Sequence, residues 1–396
     1  MVFKKREAFA SPLMEKLGLV RFLSSMAFAL VSTIWAIYLE SLLHNDSQVG
    51  FLIAFFSVIS FISYFLIIPL LERKKKTDLY LLTLILYTIS YLLFSFLQNI
   101  ISIIILGIIT SFIVSLRVAS FGILIRNKSK NKDVSKNEGF VYTLANIAWL
   151  IGPLMAGFIS SRYGLKIVFL FAAFFTLISF LLLRFFKVRD KVISKRVDTN
   201  LFKIFKDFFS KKERTIAYLL SGGINFWWAF IYIYIPIYII KIGLGNLALG
   251  YFLALITIPL ILSEYYFGRL ASRIGFKKIF SIGYFILAVA AILSFFISNI
   301  YIILLIFILA SFGAAMIEPT TESYFLDIIT KREREKYYSI YNTTIDLNYF
   351  IANIFVAIML LFLPFKSIFI LFGIAMLGFS LLSLKIKNVF EKRRKD

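Results

Sequence analysis

Runs of 18 or more apolar residues recur along the whole of this 396-residue chain, and each is long enough to cross a hydrocarbon core of ~30 Å as a helix. Helices are the expected form, because lipid offers no partner to free backbone N–H and C=O groups. A β-barrel would need ~10-residue alternating segments, which are absent. Twelve spans are expected, at about 17–43, 48–71, 78–97, 99–125, 138–160, 164–186, 215–240, 247–268, 279–298, 300–327, 338–364 and 366–386. Hydrophobic residues form 60% of the chain and charged residues 16%, which is far more apolar surface than a water-soluble fold of this size requires. The first run is too long for a signal-peptide core and lacks a small-residue cleavage site, so it reads as helix 1.

The spans repeat at an offset of 200 residues. Tyr38 answers to Tyr238, Gly50 to Gly250, Arg73 to Arg273 and Asn99-Ile100 to Asn299-Ile300. Between 37–183 and 237–383, 23 of 147 ungapped positions are identical. That identity is weak for so biased a composition, but the apolar spans and basic loops recur at the same offset. A duplicated six-span half is the plan of a two-bundle membrane transporter. The expected domains are a bundle at 1–187, a basic linker at 188–214 and a second bundle at 215–396. Within the linker, Asn200 is placed to cap a short amphipathic helix in which Leu201, Phe205 and Phe208 share a face. Such a segment either lies on the inner membrane surface or is a plain connector.

A net charge of +23 invites a nucleic-acid reading, but its distribution argues for topology instead. Of 44 Lys and Arg residues, 37 fall on one side of the spans; Arg162, Lys166, Lys241 and Lys366 fall on the other. This is the positive-inside bias, and it places both termini in the cytoplasm of a multi-pass plasma-membrane protein. No nucleic-acid partner is expected. The absence of cysteine removes thiol chemistry and Cys-ligated metals, and the one histidine, His44, reads as a solvated loop residue. No metal and no cofactor are expected. No Gly-Lys-Ser/Thr phosphate loop is present, so any pumping draws on an ion or solute gradient.

After span 8 the chain reads Gly268-Arg-Leu270-Ala271-Ser272-Arg273-Ile-Gly275-Phe-Lys277-Lys278. This resembles the loop signature of the major facilitator superfamily, Gly-x-Leu-Ala-Asp-Arg-x-Gly-Arg-Arg. The first copy, Pro69-Leu-Leu-Glu72-Arg73-Lys-Lys-Lys76, keeps the acid–Arg pair and the basic run but loses both glycines. Gly152-Pro153-Leu-Met-Ala-Gly157 in span 5 resembles the family's Gly-Pro-x-x-Gly-Gly element, which is associated with antiporters. Arg117 stands where the family carries its helix-4 arginine. The turn Asp327–Arg334 is also family-like. The resemblance implies an all-α fold of 12 transmembrane helices in two pseudo-symmetric bundles. It further implies that helices 1, 4, 7 and 10 line a central cavity and that the two halves rock around it.

An ionisable residue inside a span costs about 2.5–3.5 kcal/mol on insertion scales and is a functional candidate by default. Arg117 lies roughly 7–8 Å to the cytoplasmic side of the span 4 midpoint at ~1.5 Å per residue. Glu318 lies at a similar depth in span 10, beside Ile317, the position that corresponds to Arg117. The two could pair across the cavity, or Arg117 could anchor substrate. Glu322 is one turn from Glu318, and two carboxylates so spaced in low dielectric suit a proton carrier. Span 11 carries the stripe Asn342, Asp346, Tyr349 and Asn353, matched in span 5 by Tyr142, Asn146, Trp149 and Pro153. Span 7 carries Ser221, Asn225, Trp228 and Tyr232, matched in span 1 by Arg21, Ser25, Phe28 and Ser32. Aromatic residues with polar tips suit an organic ligand. Glu264, near the inner end of span 8, reads as a gate residue. Any one of these polar groups can equally serve helix packing.

The expected function is a secondary transporter of a small organic solute, with Glu318, Asp346 and Glu322 as proton carriers and efflux antiport favoured. Rival readings are an uptake symporter or uniporter for a sugar or organic anion, a polytopic membrane enzyme and a transport-inactive sensor. The expected partners are the solute, protons and the bilayer, and the protein is expected to be a monomer.

Overall fold

The computed structural model describes residues 11–129, 134–188, 190 and 201–386. The chain is helical almost throughout, as α1 (Pro12–Leu43), α2 (Asp46–Leu66), α3 (Ile68–Arg73), α4 (Lys76–Phe96), α5 (Ile100–Lys128), α6 (Val134–Tyr163), α7 (Leu165–Phe185), α8 (Leu201–Phe209), α9 (Lys212–Ala229), α10 (Ile235–Lys241), α11 (Gly245–Ile274), α12 (Phe276–Phe296), α13 (Ile300–Ile328), α14 (Lys331–Asn342), α15 (Thr344–Met359) and α16 (Ile368–Ser383). Among the described residues, eleven helical segments are long and apolar enough to cross a membrane. The one expected span not among them is the eleventh, α15, which stops at Met359 and is prolonged at its start by α14 across a bend at Thr343.

The 200-residue repeat is visible helix by helix. α4 and α12 begin at 76 and 276 and both run 21 residues; α5 and α13 begin at 100 and 300 and both run 29. Asn99 and Asn299 perform the same task. Each side-chain oxygen accepts from the N–H two residues on, Ile101 and Tyr301, at 2.9 Å, which satisfies a donor that the first helical turn leaves free.

Two spans are interrupted ahead of a proline, and a glycine makes one of the tight turns between helices. Span 2 breaks at Ile67, two residues before Pro69, whose ring crowds the carbonyl four residues back. Span 7 passes through a π-helical turn at Phe230–Tyr234, just before Pro236, which has no N–H to continue the ladder. The turn after α11 is made by Gly275, whose φ of 85° is in the left-handed region. The first copy of that turn has no such glycine and passes through extended residues at Lys74 and Lys75 instead.

Two compact units emerge: residues 1–34 with 62–196, and residues 35–61 with 197–396. In the first, hydroxyl pairs join neighbouring helices. Ser63 bonds Ser115 at 2.6 Å, Thr88 donates to Thr176 at 2.9 Å, and Ser179 donates to the Val20 carbonyl at 2.9 Å. Such bonds, with van der Waals packing, associate helices where lipid gives no hydrophobic drive. The core of this unit includes Leu17, Val20, Leu84, Leu124, Val141 and Leu183.

The second unit is built on a cluster of tilted and edge-on rings that links Trp227, Phe230, Phe307, Phe369 and Phe372. It also holds the C-terminal end of α1 and residues 46–61 of α2. There the Lys241 ammonium bridges Asp46 and lies 5.1 Å from the Phe365 ring centroid. The amphipathic linker helix is present as α8. Its buried stripe, Ile204 and Phe208, packs on protein: Phe208 contacts Tyr218, Phe325 and Tyr337. The surface-lying expectation therefore gives way to a strap, because rings of this same unit cover its apolar face.

Candidate functional site

In the first unit the two in-span arginines expected as cavity candidates come together. Arg21 is on α1 and Arg117 on α5, and each lies over a ring that the other helix presents. The Arg117 guanidinium is 3.6 Å from the Phe28 ring centroid, and that of Arg21 is 5.4 Å from Phe121. Arg21 also bonds the Tyr80 hydroxyl, which is itself 3.0 Å from Ser24 Oγ. Arg117 is within hydrogen-bonding reach of Tyr87. Tyr87 and Tyr91 pack edge-on against the same Phe28. Arg117 is only 7% exposed, and its Nε is buried with no hydrogen-bond partner.

On α6, Asn146 and Tyr142 are exposed and Trp149 is half-buried. Gly152 and Pro153 are buried, and a methyl group on Gly152 would meet Ala29 Cβ at 2.4 Å. That glycine is therefore where α6 and α1 touch. Arg73 is exposed at the end of α3, and the Glu72 side chain lies outside the described residues.

In the second unit a group of candidates gathers around Glu318. Trp228 donates a hydrogen bond to it, and the nearby carboxylate is Glu264 on α11. Trp228 and Tyr232 have ring centroids 5.8 Å apart. Tyr349 lies within electrostatic range of Tyr232, Glu318 and Asp346. Asp346 is half-buried, with the Ser60 side chain near it. Glu318 is solvent-exposed. The exposed apolar residues of α13, Ile302, Leu305, Leu309 and Phe312, mark its lipid face. At about 100° per residue, Glu318 projects roughly opposite to them. It therefore points away from the lipid-facing stripe of its helix.

Other candidates serve local structure. Glu322 accepts from Tyr338 on α14 at 2.7 Å. Asn225 donates to Ser221 carbonyl at 2.9 Å, and Asn353 accepts from Tyr234 at 2.8 Å. Asn342 is half-buried, Arg273 is exposed, and a methyl at Gly268 would meet open space. Among the described residues, no group of three His, Asp or Glu could hold a metal ion.

Several partners lay beyond sequence reasoning. Glu264 was legible as an acid within a span, but its place beside Glu318 was not. Phe121, Tyr80 and Tyr87 gave no signal in a chain that is 18% aromatic.

Known proteins share the fold. An uncharacterized MFS-type transporter from Methanocaldococcus jannaschii is 21% identical over 340 residues, covering 84% of this chain and 87% of that one. Among solved structures, a D-xylose–proton symporter superposes with a TM-score of 0.78 at 15% identity, covering 96% of this chain and 98% of the other. The nucleoside transporter NupG does so with a TM-score of 0.78 at 12% identity, covering 95% and 100%. A POT family transporter in complex with 5-aminolevulinic acid gives 0.78 at 14%, covering 93% and 94%. At such identities these structures speak for the fold alone. The model of the Major Facilitator Superfamily matches residues 17–263 and 247–396, and the chain belongs to that family of membrane transporters.

Proposed function

We propose that the protein couples the movement of a small organic solute to protons, working as an efflux antiporter by alternating access. The observation that carries the coupling is Glu318. It is a carboxylate midway along a membrane helix, turned away from the lipid-facing stripe, close to the Trp228 indole and without an ion pair among the described residues. A carboxylate kept at membrane depth without a fixed cation can take up and release a proton. Glu264 beside it gives that proton a second seat, and Asp346 a third candidate on α15. The direction rests on the Gly152-Pro153 element, close-packed on α1. The rocking bodies are the halves 1–187 and 215–396, in a cell membrane with both termini cytoplasmic.

The test is solute flux through purified protein in liposomes, with and without an imposed pH gradient. The gradient is expected to speed flux at least tenfold in the native protein. Glu318→Gln should lose that acceleration while keeping gradient-independent exchange. Native rates indifferent to the gradient would sink the coupling. The rival reading, an uptake symporter or uniporter for a sugar or organic anion, draws on the paired arginines; net accumulation driven by an inward-directed proton gradient would mark symport, and accumulation driven by an outward-directed one would mark antiport.

A further inference from the structure

The first unit holds two cations that nothing neutralises. Arg21 and Arg117 are close enough to repel each other, and among the described residues neither makes an ion pair. Each is held in place by an aromatic face from the opposite helix, at 5.4 and 3.6 Å. Rings fix a guanidinium without cancelling its charge. Tyr80 and Tyr87 add hydroxyl contacts, yet Arg117 Nε stays buried and unbonded. A buried charged group with an unmet donor is expensive. The corresponding positions of the other half are Ser221 and Ile317, so the duplicated scaffold does not require cations there.

We propose that Arg21 and Arg117 form an anion subsite that takes the carboxylate or phosphate group of the transported solute, beside the half-buried Phe28 ring. Guanidinium groups suit this task because their planar forks match two oxygens of one anion. The buried rings of Phe121, Tyr87 and Tyr91 hold the two forks and Phe28 in place behind it. The subsite rests on the transporter reading only in naming its occupant as cargo.

The probes are benzoate and benzyl phosphate, with benzyl alcohol as the neutral match. The full-length protein is placed in nanodiscs of phosphatidylcholine, and thermal unfolding is followed at constant ionic strength. Either anion is expected to raise the unfolding midpoint by about 2 °C or more, and benzyl alcohol is not. Arg21→Gln and Arg117→Gln should each weaken apparent affinity at least tenfold. Arg117→Lys, which keeps the charge and loses the fork, should retain part of it and controls for folding. No shift with either anion, an equal shift with benzyl alcohol, or an undiminished shift in the double glutamine variant overturns the proposal. So does stabilisation by phosphatidylglycerol discs alone, which would assign the arginines to a lipid headgroup. Exchange of labelled benzoate in proteoliposomes separates this idea from the transporter reading. Arg-dependent binding with no exchange would leave the subsite standing and sink transport; exchange indifferent to both glutamine variants would do the reverse.

Discussion

Gly152 and Gly222 show how little room separates some of these helices. A methyl on Gly152 would lie 2.4 Å from Ala29 Cβ, and one on Gly222 would lie 2.2 Å from the Asn348 side-chain amide. Asn348 is itself tied to Thr344 by a 2.8 Å bond, so it cannot swing aside freely. Gly152→Ala and Gly222→Ala should therefore each cost about 1–3 kcal/mol through overpacking. Gly122, where an added methyl meets nothing within 4 Å, is the control. Gly122→Ala should leave stability unchanged or slightly higher. Thermal unfolding of the three purified variants checks this; equal losses at all three positions would refute the close-approach account.

Arg214 joins three elements at the linker end of the second unit. Its Nε donates to the Phe208 carbonyl at 3.0 Å, its second guanidinium nitrogen donates to the Asp207 carbonyl, and its first bonds Glu333 at 3.1 Å. The guanidinium also lies 4.3 Å from the Tyr337 ring centroid. One side chain thus closes the C-terminus of α8, the start of α9 and the first turn of α14. Cations at a helix C-terminus and anions at a helix N-terminus each oppose the local end charge. Arg214→Ala should cost about 2–4 kcal/mol, because it strips two carbonyls and a carboxylate of a buried donor. Glu333→Gln should cost less, about 0.5–1 kcal/mol, since the carboxylate is partly in water.

The Glu333 carboxyl is held below its usual value, first by the Thr330 backbone N–H, then by the Thr330 hydroxyl and the Lys211 and Arg214 charges. A depressed folded value means that its stabilisation is complete above the unfolded value of about 4.3 and is lost as pH falls through the folded one. The stability gap between native protein and Glu333→Gln should accordingly be flat near neutrality and close below about pH 4. A gap that persists undiminished at pH 3 would contradict this.

At the scale of the whole molecule, many large apolar side chains are exposed, among them Phe362, Phe185, Leu262 and Phe296. These cover the faces that lipid must wet, and they carry the membrane assignment without any appeal to charge. Orientation can be read directly because the chain contains no cysteine. A single cysteine at Leu361, in the exposed loop before α16, should react with an impermeant maleimide on intact cells. One at Lys206, exposed on α8, should react only after permeabilisation. The reverse pattern would invert the positive-inside assignment.

The sequence by itself determined the spans, the duplication and the punctuation of the helices. These depend on local hydropathy, on Asn99 and Asn299 placed to cap, and on single residues such as Pro69, Pro236 and Gly275. That is why helices starting at 76 and 276, and at 100 and 300, were legible at once. It also marked Arg21, Arg117, Glu318 and Asp346 as costly and therefore informative. Only the tertiary structure decided what each of them meets. Glu322, one turn from Glu318 along the chain, turned to Tyr338, while Glu264 from another helix took the place beside Glu318. Arg117 found Phe28, and Arg21 found Phe121. Such encounters are set by the rotation and crossing of helices far apart in sequence, and with so many rings to choose from no local pattern names the partner.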